Sequence, residues 1–140
     1  VSLLRVDHPP IGRQVIAPQN ARAMVELLEH VVGPEGTGQR AAVPGYRVAG
    51  KTGTARKVAA GSYSTERYTA VFAGVAPASQ PRLAVVVVVD EPRAGEYSGG
   101  AVAAPVFSQI VGGAMRILAI PPDRPVAPSR NPRLTVASAP

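Results

Sequence analysis

Apolar and polar positions follow three different rhythms along this chain. Between Pro18 and Val32, apolar residues fall at Ala21, Met24, Val25, Leu28, Val31 and Val32, the three- and four-residue spacing of one helix face. Pro18 suits the first helical position, where a missing N–H costs nothing. Gly33-Pro34 closes the segment, with glycine at the C-terminal cap. Residues 1–17, broken by Pro9, Pro10 and Gly12, read as extended. Residues 33–45 form a Gly-rich polar loop.

From there the rhythm is that of strands. Tyr46 to Val58 alternates weakly, 59–66 reads as a polar turn, and Tyr68 to Ala76 reads as a second strand. Arg82 to Val89, with five consecutive valines, reads as a third, because a branched Cβ favours the pleat. An unbroken apolar run predicts burial on both faces and hence a central strand. The connections are too short for parallel crossovers, so the strands form an antiparallel three-strand meander. A polar loop from Asp90 to Gly100 carries Tyr97. A helix is predicted from there to about Leu118, with Val106, Ile110, Gly113 and Ile117 along one side. Gly112 and Gly113 weaken it by roughly 1 kcal/mol each, and close packing onto a sheet is the expected compensation. The fold class is α+β: one domain over residues 1–120, then a Pro-rich flexible tail over 121–140.

Composition narrows the chemistry. Of the 15 basic residues, 13 are arginines scattered singly, without the clustered stripe and interleaved aromatics of a nucleic-acid surface. Cysteine is absent, which excludes disulfides and thiolate metal sites. His8 and His30 lack metal-ligand spacing, so neither a metal nor a cofactor is expected. The first residues do not spell a signal peptide. The apolar stretch from Gly99 to Ile120 contains Pro105, Gln109 and Arg116, and reads as a helix on a sheet rather than a membrane span.

Residues 45–54 spell two incompatible motifs. Gly45 to Thr52 matches the phosphate loop G-x-x-x-x-G-K-T, and Val85 to Val89 followed by Asp90-Glu91 imitates its acidic partner strand. A phosphate loop needs a buried strand before its first glycine and a helix opening at its lysine. Here Pro44 breaks the short run before Gly45, and Gly53 stands where the helix should begin. Tyr46 and Val48 also favour extended backbone over an anion nest. The phosphate-loop reading is rejected.

The other motif is Lys51-Thr52-Gly53-Thr54 on an edge strand. Gly53 removes a side chain, so another backbone can approach closely. An exposed edge can pair with an extended peptide. Thr52 and Thr54 supply hydroxyl donors for a carboxylate, and Lys51 and Arg56 add positive charge beside it. The suited ligand is a peptide ending in a carboxylate. Strand alternation places Lys51 and Thr52 on opposite faces, so both reach one cleft only at a sheet edge.

Three stretches carry a resemblance: V-A-G-K-T-G-T-A-R-K-V, F-A-G-V-A-P-A-S-Q-P-R-L-A-V-V-V-V-V-D-E-P, and G-G-A-V-A-A-P-V-F-S-Q-I. They resemble the end of the transpeptidase domain of class B penicillin-binding proteins, in particular the septal peptidoglycan D,D-transpeptidases of cell division. The resemblance covers roughly residues 1–120. It implies the five-stranded antiparallel sheet shared with serine β-lactamases, of which the three predicted strands are the last three. The implied reaction cross-links stem peptides ending in D-Ala-D-Ala, by acyl transfer through a Ser ester; β-lactams resemble that end. By resemblance, Lys51 lies in the cleft, bonded to the Ser of an S-x-N motif. Thr52 and Thr54 hold the substrate or antibiotic carboxylate beside Gly53 and Arg56. The backbone N–H of Thr54 supplies half of the oxyanion hole. Tyr68 and Tyr97 form an apolar wall near the antibiotic side chain, although Ser98 stands where some relatives carry a second aromatic. The implied partners are the rest of the transpeptidase domain and other division proteins. The implied location is the periplasmic face of the inner membrane.

The family's nucleophile lies in S-x-x-K. Residues three before Lys51 and Lys57 are Val48 and Thr54, so that motif is not in this sequence. Ser129-Arg130-Asn131 follows the lysine motif instead of preceding it and reads as coincidence. The nucleophile is therefore expected outside these residues, and the chain alone is expected to be inactive. Two alternatives share the lysine motif: a non-catalytic peptide- or β-lactam-binding module, and a serine β-lactamase. The wording from Phe72 to Asp90 speaks against the β-lactamase.

Overall fold

The computed structural model describes residues 12–59, 62–93 and 95–124, without the side chains of 59 and 63–65. The extended reading of 1–11, His8, the tail beyond Arg124 and Ser129-Arg130-Asn131 lie outside the described residues. Helix α1 (Pro18–Glu29) leads through a turn at Gln39–Ala41 into β1 (Ala49–Ala59), β2 (Ser62–Ala76) and β3 (Leu83–Asp90). A wide π-type turn at Gly99–Ala103 then opens α2 (Ala104–Ile117). The strands are antiparallel in the order β1-β2-β3, with Thr52 opposite Phe72 and Phe72 opposite Val87.

The hairpin is longer than the polarity pattern predicts. β2 begins at Ser62, so strand pairing occupies most of the expected 59–66 turn. This arm extends beyond the core, and polar residues on a solvated ribbon do not look like a strand. The register shifts between Arg56 and Val58, a bulge that adds local twist. β1 itself starts at Ala49, because Val43 and Tyr46 close a tight turn just before it.

One face of the sheet carries the core. Phe72 of β2 meets Phe107 of α2 edge to face, centroids 4.8 Å apart. The pair has room because Gly50 and Gly74 are register partners beneath it. A Cβ on Gly50 would lie 2.6 Å from the tip of Phe72, and one on Gly74 2.9 Å from the tip of Phe107. Val48, Val87, Ala103, Val111 and Met115 complete the buried cluster.

Two burial expectations fail. β3 is the outermost described strand, and its exposure alternates: Val87 is buried, while Val86 and Val88 are 64% and 59% exposed. The burial on both faces expected of the valine run is therefore not met among the described residues. On α2 the buried residues are Ala104, Phe107, Val111 and Met115, whereas Val106, Ile110 and Ile117 face outward. The turn before the helix sets its phase, and the large ring of Phe107 takes the sheet-facing position. A Cβ on Gly113 would meet nothing within 4 Å, and one on Gly112 only a methyl of Val43, so neither glycine is explained by sheet packing. The stretch Gly99–Ile117 is long and apolar enough to cross a membrane by composition alone, yet it lays one face on the sheet, as expected.

Contacts continue past the expected boundary at residue 120. Tyr46 donates its hydroxyl to the carbonyl of Ile120. Asp123 accepts from the backbone N–H of Arg47 at 2.7 Å, and from the hydroxyl and N–H of Ser79. Burial pushes the Asp123 carboxyl up, but these donors outweigh it and hold it below the usual range. α1 has no fully buried residue; the Glu29–Arg47 ion pair, 2.6 Å, ties its last turn to the segment before β1.

Truncating Phe107 to alanine should destabilise the protein by about 3–5 kcal/mol, read from denaturant unfolding, because the cavity lies between rigid backbone and another ring.

Candidate functional site

Because β1 is an edge strand, its unpaired side faces no other strand among the described residues. Alternation divides its side chains. Thr52 and Thr54 share the inner face with Phe72, whereas Lys51 lies on the outer face with Ala73. The Lys51 ammonium donates only to the carbonyl of Thr52, at 3.1 Å, among the described residues. It borders an apolar groove of about 300 Å³ lined by Leu28, Ala73, Val75 and Val86.

Each of the two threonine hydroxyls is held from behind. Thr54 Oγ1 accepts the backbone N–H of Gly99 at 3.1 Å. Thr52 Oγ1 shares a 3.0 Å hydrogen bond with Thr37 Oγ1. Because Thr54 Oγ1 accepts, its proton is free to donate outward, whereas either hydroxyl can be the donor in the Thr37–Thr52 bond. Thr37 lies in the Gly-rich loop and was not anticipated from the sequence. Only its place in a loop returning to β1 could have suggested it.

The same Gly99 is pressed against the strand. A Cβ there would lie 2.5 Å from the Gly53 carbonyl oxygen and 2.2 Å from that of Val71. The close approach depends on Gly99 and not on Gly53, because a Cβ on Gly53 would meet only the Cβ of Val71 at 3.5 Å, and the approaching backbone is the chain's own turn. Ser98 caps that turn by accepting from the N–H of Ala101.

Arg56, opposite Tyr68 in the register, places its guanidinium 6.0 Å from the Tyr68 ring centre, at the limit of a cation–π contact. Tyr97 stacks on Tyr68, with centroids 4.2 Å apart and planes at 21°. Lys51, Thr52, Gly53, Thr54, Arg56, Tyr68 and Tyr97 thus fall along one strand and its flank, with Lys51 alone directed to the other face.

A network of charges closes this end of the sheet. Lys57, at the bulge, reaches across β2 to Asp90 at 2.9 Å and Glu91 at 2.8 Å. Arg67 also pairs with Glu91, and Thr69 donates to Asp90. Hydrogen bonds from Lys57, then from Thr69, hold Asp90 below the usual carboxylate range; Lys57 and then Arg67 do the same for Glu91. Glu91 and then Asp90 raise Lys57 in return. The sequence showed these charges but not their convergence.

With this geometry in hand, comparison with known proteins is direct. The penicillin binding protein transpeptidase domain family matches residues 1–112, and the chain belongs to that family. Over 131 residues it is 47% identical to the peptidoglycan D,D-transpeptidase FtsI of Escherichia coli (strain K12), covering 94% of this chain and 22% of that protein. It is 44% identical over 117 residues to the probable peptidoglycan D,D-transpeptidase PenA of Neisseria gonorrhoeae, covering 84% and 20%. The apo structure of the TP domain from Burkholderia pseudomallei penicillin-binding protein 3 superposes with a TM-score of 0.78 at 48% identity, covering 87% of this chain and 37% of that one. The chain therefore spans about a fifth of the length of the curated relatives it matches. The α+β fold and the transpeptidase resemblance both stand.

Two measurements check the site's construction. Gly99→Ala should break the Gly99–Thr54 bond and destabilise the fold by about 1–3 kcal/mol, seen as a shifted Thr54 environment by NMR and a lower melting temperature. The ion network contributes fully above the ordinary carboxylate range and is lost as pH falls through the lowered values of Asp90 and Glu91. At the alkaline end it is lost as pH rises through the raised value of Lys57. The melting-temperature gap between wild type and Lys57→Met should accordingly be largest near neutrality and close in acid.

Proposed function

We propose that these residues form the substrate-binding part of a peptidoglycan D,D-transpeptidase, with the Ser nucleophile supplied by residues outside this sequence. The observation that carries this is the pair of threonine hydroxyls on an open edge strand: Thr54 accepts from the Gly99 N–H and so keeps its proton for a ligand, and Thr52 stands beside it, placed by its bond with Thr37. A peptide or β-lactam carboxylate accepts from both, and charge-assisted bonds of that kind are about twice as strong as neutral ones. Arg56 lies on the same flank and adds favourable charge. The ligand backbone runs along the free edge of β1 as an added strand.

In the reaction, a Ser oxygen attacks the carbonyl of the penultimate D-Ala, and the terminal D-Ala leaves as its amine is protonated. The acyl group then passes to an amine of a second stem peptide. The backbone N–H of Thr54 donates to the developing oxyanion, a role worth on the order of 3 kcal/mol where such donors have been removed. Lys51 places its ammonium at the other face of the strand, toward the apolar groove that the remainder of the domain covers. There it bonds the Ser of S-x-N. Two further strands complete the sheet along the open edge of β3. The setting proposed is cell division at the periplasmic face of the inner membrane, with other division proteins as partners.

Labelling the full-length protein with a fluorescent penicillin should give one covalent adduct, located by mass spectrometry outside residues 1–140. Thr52→Val with Thr54→Val should slow labelling by roughly tenfold or more, and should not slow a β-lactam whose carboxylate is esterified. Absence of any adduct on the intact protein would leave a non-catalytic binding module. Rapid multiple-turnover hydrolysis would point to a β-lactamase.

A further inference from the structure

The chain leaves the sheet at Glu91 and returns to it at Gly99, and both ends of this excursion are fastened. At its start, Glu91 adopts a left-handed backbone (φ 48°), which a residue with a side chain rarely takes. Its N–H still bonds the carbonyl of Tyr68 at 2.9 Å, extending the β2–β3 ladder by one rung. Its carboxylate receives Lys57 from β1 at 2.8 Å and Arg67 from β2 at 2.8 Å. Asp90 holds the same Lys57 ammonium and is itself held by the Thr69 hydroxyl at 3.0 Å. At its end, the Gly99 N–H bonds Thr54. Between these two anchors the loop lays Tyr97, half exposed, on the ring of Tyr68.

We propose that Glu91, gripped by Lys57 and Arg67, is the positioning residue for Tyr97, and that it thereby sets which ligand side chains fit beside Thr54. The loop has no apolar anchor of its own among the described residues: no residue from 91 to 98 belongs to the buried core. Its path is fixed by charge at one end and by a backbone hydrogen bond at the other. Tyr68 is fixed by its place in the β1–β2 ladder opposite Arg56 and by the rung from the Glu91 N–H, backbone contacts in which the Glu91 carboxylate takes no part. Releasing the Glu91 carboxylate from Lys57 and Arg67 therefore frees Tyr97 without moving Tyr68, Thr52 or Thr54. The stacked rings present a flat apolar surface two residue pairs along from Thr54, on the same face of the strand. A ligand group extending from the carboxylate end toward Arg56 meets that surface, and a ligand without such a group does not. Glu91 thus acts on discrimination between ligands and leaves carboxylate capture to the threonines.

This inference rests on the transpeptidase reading, and its test separates the two. The full-length protein is acylated with two β-lactams, one bearing an aromatic acyl side chain and one, 6-aminopenicillanic acid, bearing none. Glu91→Gln should lower the second-order acylation rate for the aromatic ligand by about fivefold, the scale of coupling between residues that share a backbone shift, and leave the small ligand unchanged. In a Tyr97→Ala background the same substitution should add nothing. If Glu91→Gln does not fold, Arg67→Gln, which keeps the Lys57 grip, should shift the ratio of the two rates in the same direction. Equal losses on both ligands, or additive losses with Tyr97→Ala, would overturn the proposal. A wild-type protein acylated by neither ligand would overturn the transpeptidase reading instead.

Discussion

The contact between the Gly99 turn and the backbone of β1 at Gly53 organises everything near the site. Two peptide segments meet there without side chains between them, a Cβ on Gly99 being only 2.5 Å from the Gly53 carbonyl oxygen. That approach brings the Gly99 N–H onto Thr54 and starts α2 at a fixed height over the sheet. Phe107, at the end of the first turn of α2, then reaches Phe72 and the space left by Gly74. One close contact thus aligns the hydroxyl of the edge strand and the largest rings of the core. Glycine is required at Gly99 on the edge and at the register pair Gly50 and Gly74 inside, whereas Gly53 has room for a Cβ.

Much of this was legible in the sequence, for reasons that can be named. The helix over Pro18–Glu29, the meander and the edge position of the lysine motif follow from periodicity and short connections. The false phosphate loop was rejected because Gly53 and Pro44 contradict the strand and helix that such a loop needs. What escaped depends on contacts between residues far apart in the chain. Thr37 meets Thr52 only because a loop folds back. Lys57, Arg67, Asp90 and Glu91 converge only because a bulge directs Lys57 across β2. The buried face of α2 was misread because Ile110 and Ile117 look as apolar as Phe107 and Val111. Only the turn that precedes the helix decides which set faces the sheet.

β3 shows how a correct local inference fails without its context. Five valines do make a strand, and Val87 is buried as expected, yet Val86 and Val88 are mostly exposed. The outer face also carries Lys51 and the apolar groove beside Leu28. An apolar, unpaired strand edge invites association with another chain. The sequence therefore specifies a surface suited to burial rather than to water, which agrees with a chain that spans a fifth of its curated relatives.

The division of labour across β1 follows from the same geometry. Thr52 and Thr54 point to the inner face, where the Gly-rich loop and the Gly99 turn fix their hydroxyls. Lys51 points to the outer face, where no carboxylate among the described residues neutralises it. A single strand thus separates neutral donors from a full positive charge by one residue. On the proposed reading the charge raises the potential along the edge for an approaching anion, while the hydroxyls select its position. Had the lysine shared the threonine face, its flexible ammonium would compete with the hydroxyls for the same carboxylate. Keeping it on the other side leaves it available to a second group, and the strand can then serve two parts of one cleft at once.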